Sequence, residues 1–173
     1  MKNALLLVLL LAASCSNDTT PVTPPRQPDK PAVPADPDLI SFDAPAGWVK
    51  EPPANNMRKA QFRVPDREKK AADAMFTLSK LSPQPFPPNL ERWAMQMGCD
   101  VPKHEELQGV HKIFFAQLDG EYRSDAGDEV PAARMLGAMV DTGEAAWFFK
   151  LVGPIDTVGD YRDDFLKMLK AAK

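Results

Sequence analysis

Cysteine and histidine are scarce in this chain, two of each in 173 residues. Two cysteines cannot build a disulfide-dense scaffold, and two histidines leave little for metal ligation or proton transfer near neutral pH. A surplus of either charge is also missing, with 21 Lys+Arg against 24 Asp+Glu. No excess cation is left to neutralise phosphates, which argues against a general nucleic-acid binder. Nor is there a long apolar run. Residues 4–13 (ALLLVLLLAA) would rise only about 15 Å as a helix, half of a roughly 30 Å hydrocarbon core, and cannot span a bilayer. Glycine is modest at 9, yet proline reaches 18. The remaining composition, 44% hydrophobic and 26% charged, suits one modest globular domain.

The apolar run follows Lys2 and leads into the small residues Ala12-Ala13-Ser14. A charged start, a short apolar segment and small residues before a cleavage point make a secretory signal peptide over residues 1–14. The next residue is Cys15, and Ala12-Ala13-Ser14-Cys15 resembles the lipobox of bacterial lipoproteins, with Leu11 one place earlier than the family's leucine. The resemblance implies that the Cys15 thiol takes a diacylglyceryl group and becomes the mature amino terminus. Further acyl chains such as palmitate would add to the anchor, each buried CH₂ contributing about 0.8 kcal/mol. The implied partner is the membrane, and the implied location the bacterial cell envelope. Ser16 rather than Asp after the cysteine favours the outer membrane under enteric sorting. Cys99 is then left without an intrachain partner and reads as a packed, inert thiol at a helix end, where the dipole disfavours a thiolate.

Cys15 and residues 16–38 form the next unit. Seven prolines (Pro21, Pro24, Pro25, Pro28, Pro31, Pro34 and Pro37) occur there without glycine or aromatics. Such a segment cannot bury enough apolar area to offset its chain entropy, and its fixed φ keeps it extended. At about 3.1 Å per residue it reaches roughly 70 Å as polyproline II. It reads as a stalk lifting a domain off a lipid surface; a docking motif for a proline-recognising partner is the sharper alternative.

Residues 39–173 read as one globular α+β domain. A short strand is expected near Ile40, followed by a turn and a second strand from Trp48 that ends at Pro52-Pro53. Residues 57–64 (MRKAQFRV) alternate, with Ala60, Phe62 and Val64 on one face and Arg58 in phase with them. Residues 72–81 alternate again through Ala74, Phe76 and Leu78. Asn89 is placed as the N-cap of a helix of about nine residues whose Leu90, Trp93, Ala94 and Met97 share a face, with Gly98 as its C-cap. Asp119-Gly120 reads as a two-residue hairpin between strands 110–118 and 121–123. Asp141-Thr142-Gly143-Glu144 joins strands 133–140 and 145–152, which are apolar on both faces and therefore central. One terminal helix follows, with a stripe of Val158, Tyr161, Phe165, Met168, Leu169 and Ala172 and a Thr157-x-x-Asp160 box at its start. The sum is a mostly antiparallel sheet of six or seven strands flanked by two helices.

This order of a Pro–Gly–Trp turn, "MRKAQF", the helix "NLERWAMQM", paired strands ending "WFFKLVGP" and a terminal amphipathic helix resembles the PsbP-like α/β/α sandwich. It is similar in particular to uncharacterised planctomycete-type envelope lipoproteins. The resemblance spans nearly all of residues 39–173 and implies a protein-binding or assembly module rather than a catalyst.

No nucleophile elbow, phosphate loop or paired CxxC occurs. His104-Glu105-Glu106 and His111 lack His-Glu-x-x-His spacing, so no metal and no cofactor is expected. The basic cluster Arg58, Lys59, Arg63, Arg67, Lys69 and Lys70 is interleaved with Asp66, Glu68 and Asp73, which reads as a solvated edge rather than a lipid-binding patch. The constellation of first interest is Arg58 with Asn89, Arg92, Trp93 and Gln96. The four helical residues lie at three- and four-residue spacing, and Arg58, if core-facing, must find a carboxylate or carbonyl. It is either a polar clamp pinning the helix to the sheet or a ligand-binding groove. Function therefore reads as a lipid-anchored, non-catalytic envelope module that binds an envelope protein or a small ligand and no nucleic acid. The alternatives are an enzyme using His104, His111 or Cys99, which would have to share a pocket, and a purely structural envelope protein.

Overall fold

The computed structural model describes residues 39–124, 127 and 129–173. The signal peptide, Cys15 and the stalk expected from the sequence lie outside the described residues. Seven strands form a single sheet in the order β1-β2-β3-β7-β6-β5-β4, and every neighbouring pair is antiparallel. They are β1 Val49–Glu51, β2 Arg58–Val64, β3 Ala74–Leu81, β4 Glu105–Gln108, β5 Lys112–Arg123, β6 Glu129–Asp141 and β7 Ala146–Pro154. Helix α1 (Pro87–Met97) covers one face; α2 (Ile155–Asp160) and α3 (Arg162–Ala171) cover the other. The fold is the expected α+β sandwich, with β6 and β7 central as their two-sided apolarity requires.

Alternation along the strands produces two cores. Phe62, Phe76, Leu78, Leu136, Phe149 and Leu151 point to the α3 side, where Phe165, Met168 and Leu169 meet them. Met135, Met139 and Phe148 point the other way, to Leu90, Trp93 and Met97 of α1. The β6–β7 turn forms as read, with Gly143 at φ 81° and its N–H donating to Asp141 Oδ1 at 2.8 Å.

Five local expectations are corrected. Residues 40–44 are not a strand of the sheet. Ile40, Phe42 and Ala44 are buried on the α3 side, and Ser41 exchanges two backbone hydrogen bonds with Lys173, at 2.7 and 3.0 Å. Asp119-Gly120 is not a hairpin but lies inside the continuous β5. A Cβ on Gly120 would sit 2.1 Å from the Met97 carbonyl oxygen, so this glycine admits the end of α1 rather than turning the chain. Helix α1 starts at Pro87, where a proline costs no hydrogen bond, with Phe86 at the cap position and no side-chain cap. Asn89 therefore lies within the first turn, although Gly98 does end the helix in the left-handed region. The terminal helix is two helices, broken at Tyr161 (φ −103°, ψ 4°). Its predicted capping box is not formed, because the Thr157 hydroxyl donates to the Ala72 carbonyl at 2.9 Å instead. The fifth concerns Arg58.

A polar cleft as candidate functional site

Arg58 does not share a face with Ala60. It pairs with Ser79 while Ala60 pairs with Leu78, so the register shifts and Lys59 is the extra residue of a β-bulge. One inserted residue reverses the side-chain alternation. Arg58 is thereby turned from the α3 core to the α1 side of the sheet, beside Gln61 and Arg63.

On that side α1 packs on β5 and, less extensively, β6. Its Trp93 ring lies over Gly137, where a Cβ would come within 2.3 Å of Trp93 Cζ3, and stands perpendicular to Phe148 at 6.1 Å between centroids. Beyond the strip of β5 and β6 that α1 covers, β3 and β7 floor a cleft of about 450 Å³. The floor is Met75, Thr77, Lys150, Val152 and Gly153. Gln96 of α1, with Tyr122 and Ser124 at the end of β5, forms one wall; Asn55, Arg58 and Asp73 form the other.

The Arg58 wall is built through amides. Asn55 Oδ1 accepts the backbone N–H groups of Met57 and Arg58 at 3.1 and 3.2 Å. Arg58 Nη1 donates to Gln61 Oε1 at 2.7 Å, and the same oxygen accepts the Ala54 N–H at 3.2 Å. Gln61 in turn donates to Glu51 Oε2 at 3.3 Å. Arg58 thus finds a carbonyl, and among the described residues it has no carboxylate partner. Across the floor, Lys150 Nζ lies 5.4 Å from the centroid of the Tyr122 ring.

The constellation read from sequence is divided. Arg58 and Gln96 line the cleft together, and Trp93 is buried between helix and sheet. Asn89 and Arg92 belong to a separate knot at the start of α1. There Arg92 Nη2 donates to Asn89 Oδ1 at 3.1 Å, and Asn89 Nδ2 reaches Gln84 Oε1 at 3.2 Å. Seven residues of helix, about 10 Å along the axis, part Asn89 from Gln96. Thr77 and Lys150 were missed. Their signal was a polar residue inside an apolar strand, in AMFTLSKL and AAWFFKLV.

Three further members of the basic cluster, Arg63, Arg67 and Lys70, are paired with carboxylates. Arg63 bonds Asp73 at 2.7 Å and approaches Glu51 at 3.4 Å, and Lys70 bonds Glu68 at 2.7 Å. Arg67 bonds Asp164, donates to the Asp160 carbonyl at 2.8 Å and lies 4.0 Å over the Tyr161 ring. Arg67 thereby ties the β2–β3 loop to α2 and α3, while Arg63 and Lys70 are paired with acids on β1 and in the loop itself. A second concavity of about 520 Å³ beside α2 contains Asp66, Lys70 and Arg134. Three of its charges are engaged internally, Arg134 by two bonds to Asp119 at 2.7 and 2.6 Å, Asp66 by backbone N–H groups and Lys70 by Glu68.

The residues of the enzyme alternative do not meet. His104 stands against Phe86 and Phe114, at 5.4 and 5.8 Å between ring centroids. His111 lies at the far end of the same β4–β5 hairpin, in a surface recess with Thr142 and Glu144. Cys99 follows α1, and burial, then the Asp100 and Asp119 carboxylates, push its thiol up, away from the reactive thiolate. Among the described residues, no three His, Cys, Asp or Glu side chains are grouped to hold a metal ion.

The fold and the site together define an α+β sandwich with a polar cleft on the half of one face that α1 leaves open. A similar solved structure is that of a protein of unknown function, PA94, from Pseudomonas aeruginosa. It shares 15% identity over 76% of this chain and 94% of that one, with a TM-score of 0.47. No protein-family model matches the chain, and no curated protein matches it in sequence.

Proposed function

We propose that this protein is a lipid-anchored component of the bacterial cell envelope whose PsbP-like domain is a non-catalytic binding module. Diacylated Cys15 holds it to the membrane, the proline-rich residues 16–38 space it from the surface, and the domain faces the periplasm or exterior. The short apolar leader ending in Ala12-Ala13-Ser14-Cys15 supports the anchoring. Among the described residues no helix is long and apolar enough to cross a membrane.

The observation that carries the binding role is the cleft. A sheet face left without a helix is expected to hold polar groups in open water. Here Thr77 is only 7% exposed, and it lines the cleft together with Asn55, Arg58 and Gln96, which bear hydrogen-bonding groups. Fixed polar groups converging on a partly apolar concavity are the usual means of recognising a ligand or a partner's protruding segment.

The test is photo-crosslinking in envelope membranes, with a benzophenone side chain placed at Met75 in the cleft or at Lys167 on α3. Adducts are expected from Met75 alone, and Cys15→Ser should move the protein out of the membrane fraction. Identical adducts from both positions, or the same partners recovered by wild type from the soluble cytoplasm, would overturn the proposal.

A further inference from the structure

We infer that the cleft receives the proline-rich segment of this same chain, with Pro25–Pro31 laid across its floor. This deepens the binding role proposed above by naming the cleft's resting occupant, and it rests on the cleft being a binding site.

The first ground is a surplus of donors. On the Arg58 wall the acceptors are engaged. Asn55 Oδ1 and Gln61 Oε1 each take two N–H groups. The Asp73 oxygens take Arg63 Nη1 at 2.7 Å and the Asp66 N–H at 3.2 Å. The donors are not matched. Arg58 gives Nη1 to Gln61 and keeps its other N–H groups. Among the described residues, the Asn55 amide nitrogen and the Thr77 hydroxyl have no hydrogen-bond partner. Thr77 is 7% exposed and pairs directly with Gln61 across the strands, so its hydroxyl stands beside the group that Arg58 holds.

The second ground is that charge does not select the ligand. Arg58 and Arg63 stand with Asp73 and Glu51, two cations to two carboxylates, and Arg63 touches both acids. Across the cleft, Gln96, Tyr122, Ser124 and Lys150 carry contacts of their own. The Arg58 wall therefore suits neutral acceptor oxygens on a ligand poor in N–H groups. A proline-rich peptide has that chemistry. Each proline lacks an N–H, and a polyproline II backbone makes no internal hydrogen bonds, so its carbonyls stay open. Met75, Val130 and Val152 supply apolar contacts for the rings.

The third ground is the chain itself. Pro25, Pro28, Pro31, Pro34 and Pro37 recur every third residue, one polyproline II turn, and so share one edge. The described residues begin at Leu39, which lines a recess with Ile40 and with Lys80 near the end of β3. Thr77 lies three residues back along β3, about 10 Å, and the passage to the other face of the sheet adds about 10 Å more. Residues 32–38 cover that route, reaching about 22 Å at 3.1 Å each. Pro25–Pro31 then extend about 19 Å, matching the four strand spacings of about 4.8 Å from β2 to β5. Tethering gives the segment a high effective concentration at the cleft. An envelope partner has to displace it, and in doing so lengthens the stalk.

The test uses purified full-length protein, an equal mixture of unlabelled and isotope-labelled chains, with the benzophenone at Met75 or at Lys167. Met75 should give adducts to residues 25–31 within a single isotope form, and Lys167 should not. Pro25→Ala, Pro28→Ala and Pro31→Ala together should abolish the adduct. Arg58→Gln and Thr77→Val should each lower its yield about fivefold, the effect of one lost hydrogen bond. Should Arg58→Gln fail to fold, Thr77→Val and the proline replacements still decide. Adducts joining the two isotope forms would give the cleft to a second copy and overturn the assignment to the same chain. Equal capture of residues 25–31 from Met75 and Lys167 would overturn the docking. If Met75 captures no part of the segment yet still captures a partner in envelope membranes, this inference fails and the binding cleft stands. Absence of both adducts would overturn both readings.

Discussion

Gly137 and Trp93 show how one residue sets the position of α1. The indole occupies the space a side chain at 137 would need, with Cζ3 and Cε3 only 2.3 and 2.6 Å from where a methyl carbon on that residue would stand. Trp93 is 3% exposed and wedged against Phe148, so it cannot swing clear into solvent. Gly137→Ala should therefore destabilise the protein by about 1–3 kcal/mol, the range for overpacking a filled site. Urea denaturation measures the loss. Pairing it with Trp93→Leu should return part of that loss, since the two changes act on one contact. A fully additive double variant would show that the ring is not what Gly137 accommodates.

At the scale of elements, the β2–β3 loop is the joint between the sheet and the terminal helices. Its Asp66 accepts the backbone N–H groups of Lys70 and Ala71 at 2.6 and 2.8 Å, and these bonds, Ala71 first, hold its carboxyl below the ordinary range. The loop then grips α2 and α3 through Tyr161 Oη donating to the Pro65 carbonyl at 3.0 Å and through the Arg67 contacts. A carboxyl depressed in the fold contributes stability above its unfolded pKa, about 4, and the contribution is lost as pH falls through the lower folded value. Asp66→Asn should thus lower Tm at pH 7, and the gap between variant and wild type should close as pH falls from about 4 toward 2. A gap of constant size across that range would remove the ionised carboxylate as the source.

Much of this level was legible in the chain. Alternation placed β2 and β3, two-sided apolarity placed β6 and β7 at the centre, and Gly98 marked the end of α1. What misled were residues whose type fits two physical uses. A glycine after aspartate serves a turn or a close backbone approach equally well, and only the packed end of α1 decides for the second at Gly120. A single-residue bulge leaves no mark in a hydrophobic pattern yet reverses the facing of Arg58, so periodicity alone puts the site's main cation on the wrong side of the sheet. Asn89 and Gln96 share a helix side, but helical periodicity is silent on the two turns that separate them.

The whole molecule divides its work between the two faces of the sheet. The α3 side is closed by a continuous aromatic set: Phe42 contacts Phe62, Phe76 and Phe149 at 6.2, 5.8 and 5.6 Å, and Trp48 contacts Phe76 at 5.0 Å. Phe165 of α3 reaches both Phe76 on β3 and Phe115 on β5, each at 6.4 Å, and so bridges the two halves of the sheet. Removing that ring should cost about 3–5 kcal/mol, a large share of the 5–15 kcal/mol typical of a domain's stability. The α1 side is closed over only part of its width, and its open part holds the cleft. Thr77 is as deeply set as many core residues, at 7% exposure, yet it lines the concavity rather than the packed interior. Thr77→Val should then move stability by no more than about 0.5 kcal/mol, as for a position outside the packed core. Denaturation of Phe165→Ala beside Thr77→Val compares the two faces directly. A Thr77→Val loss approaching that of Phe165→Ala would make the cleft floor part of the stabilising core, and the division between a stabilising face and a receiving face would fail.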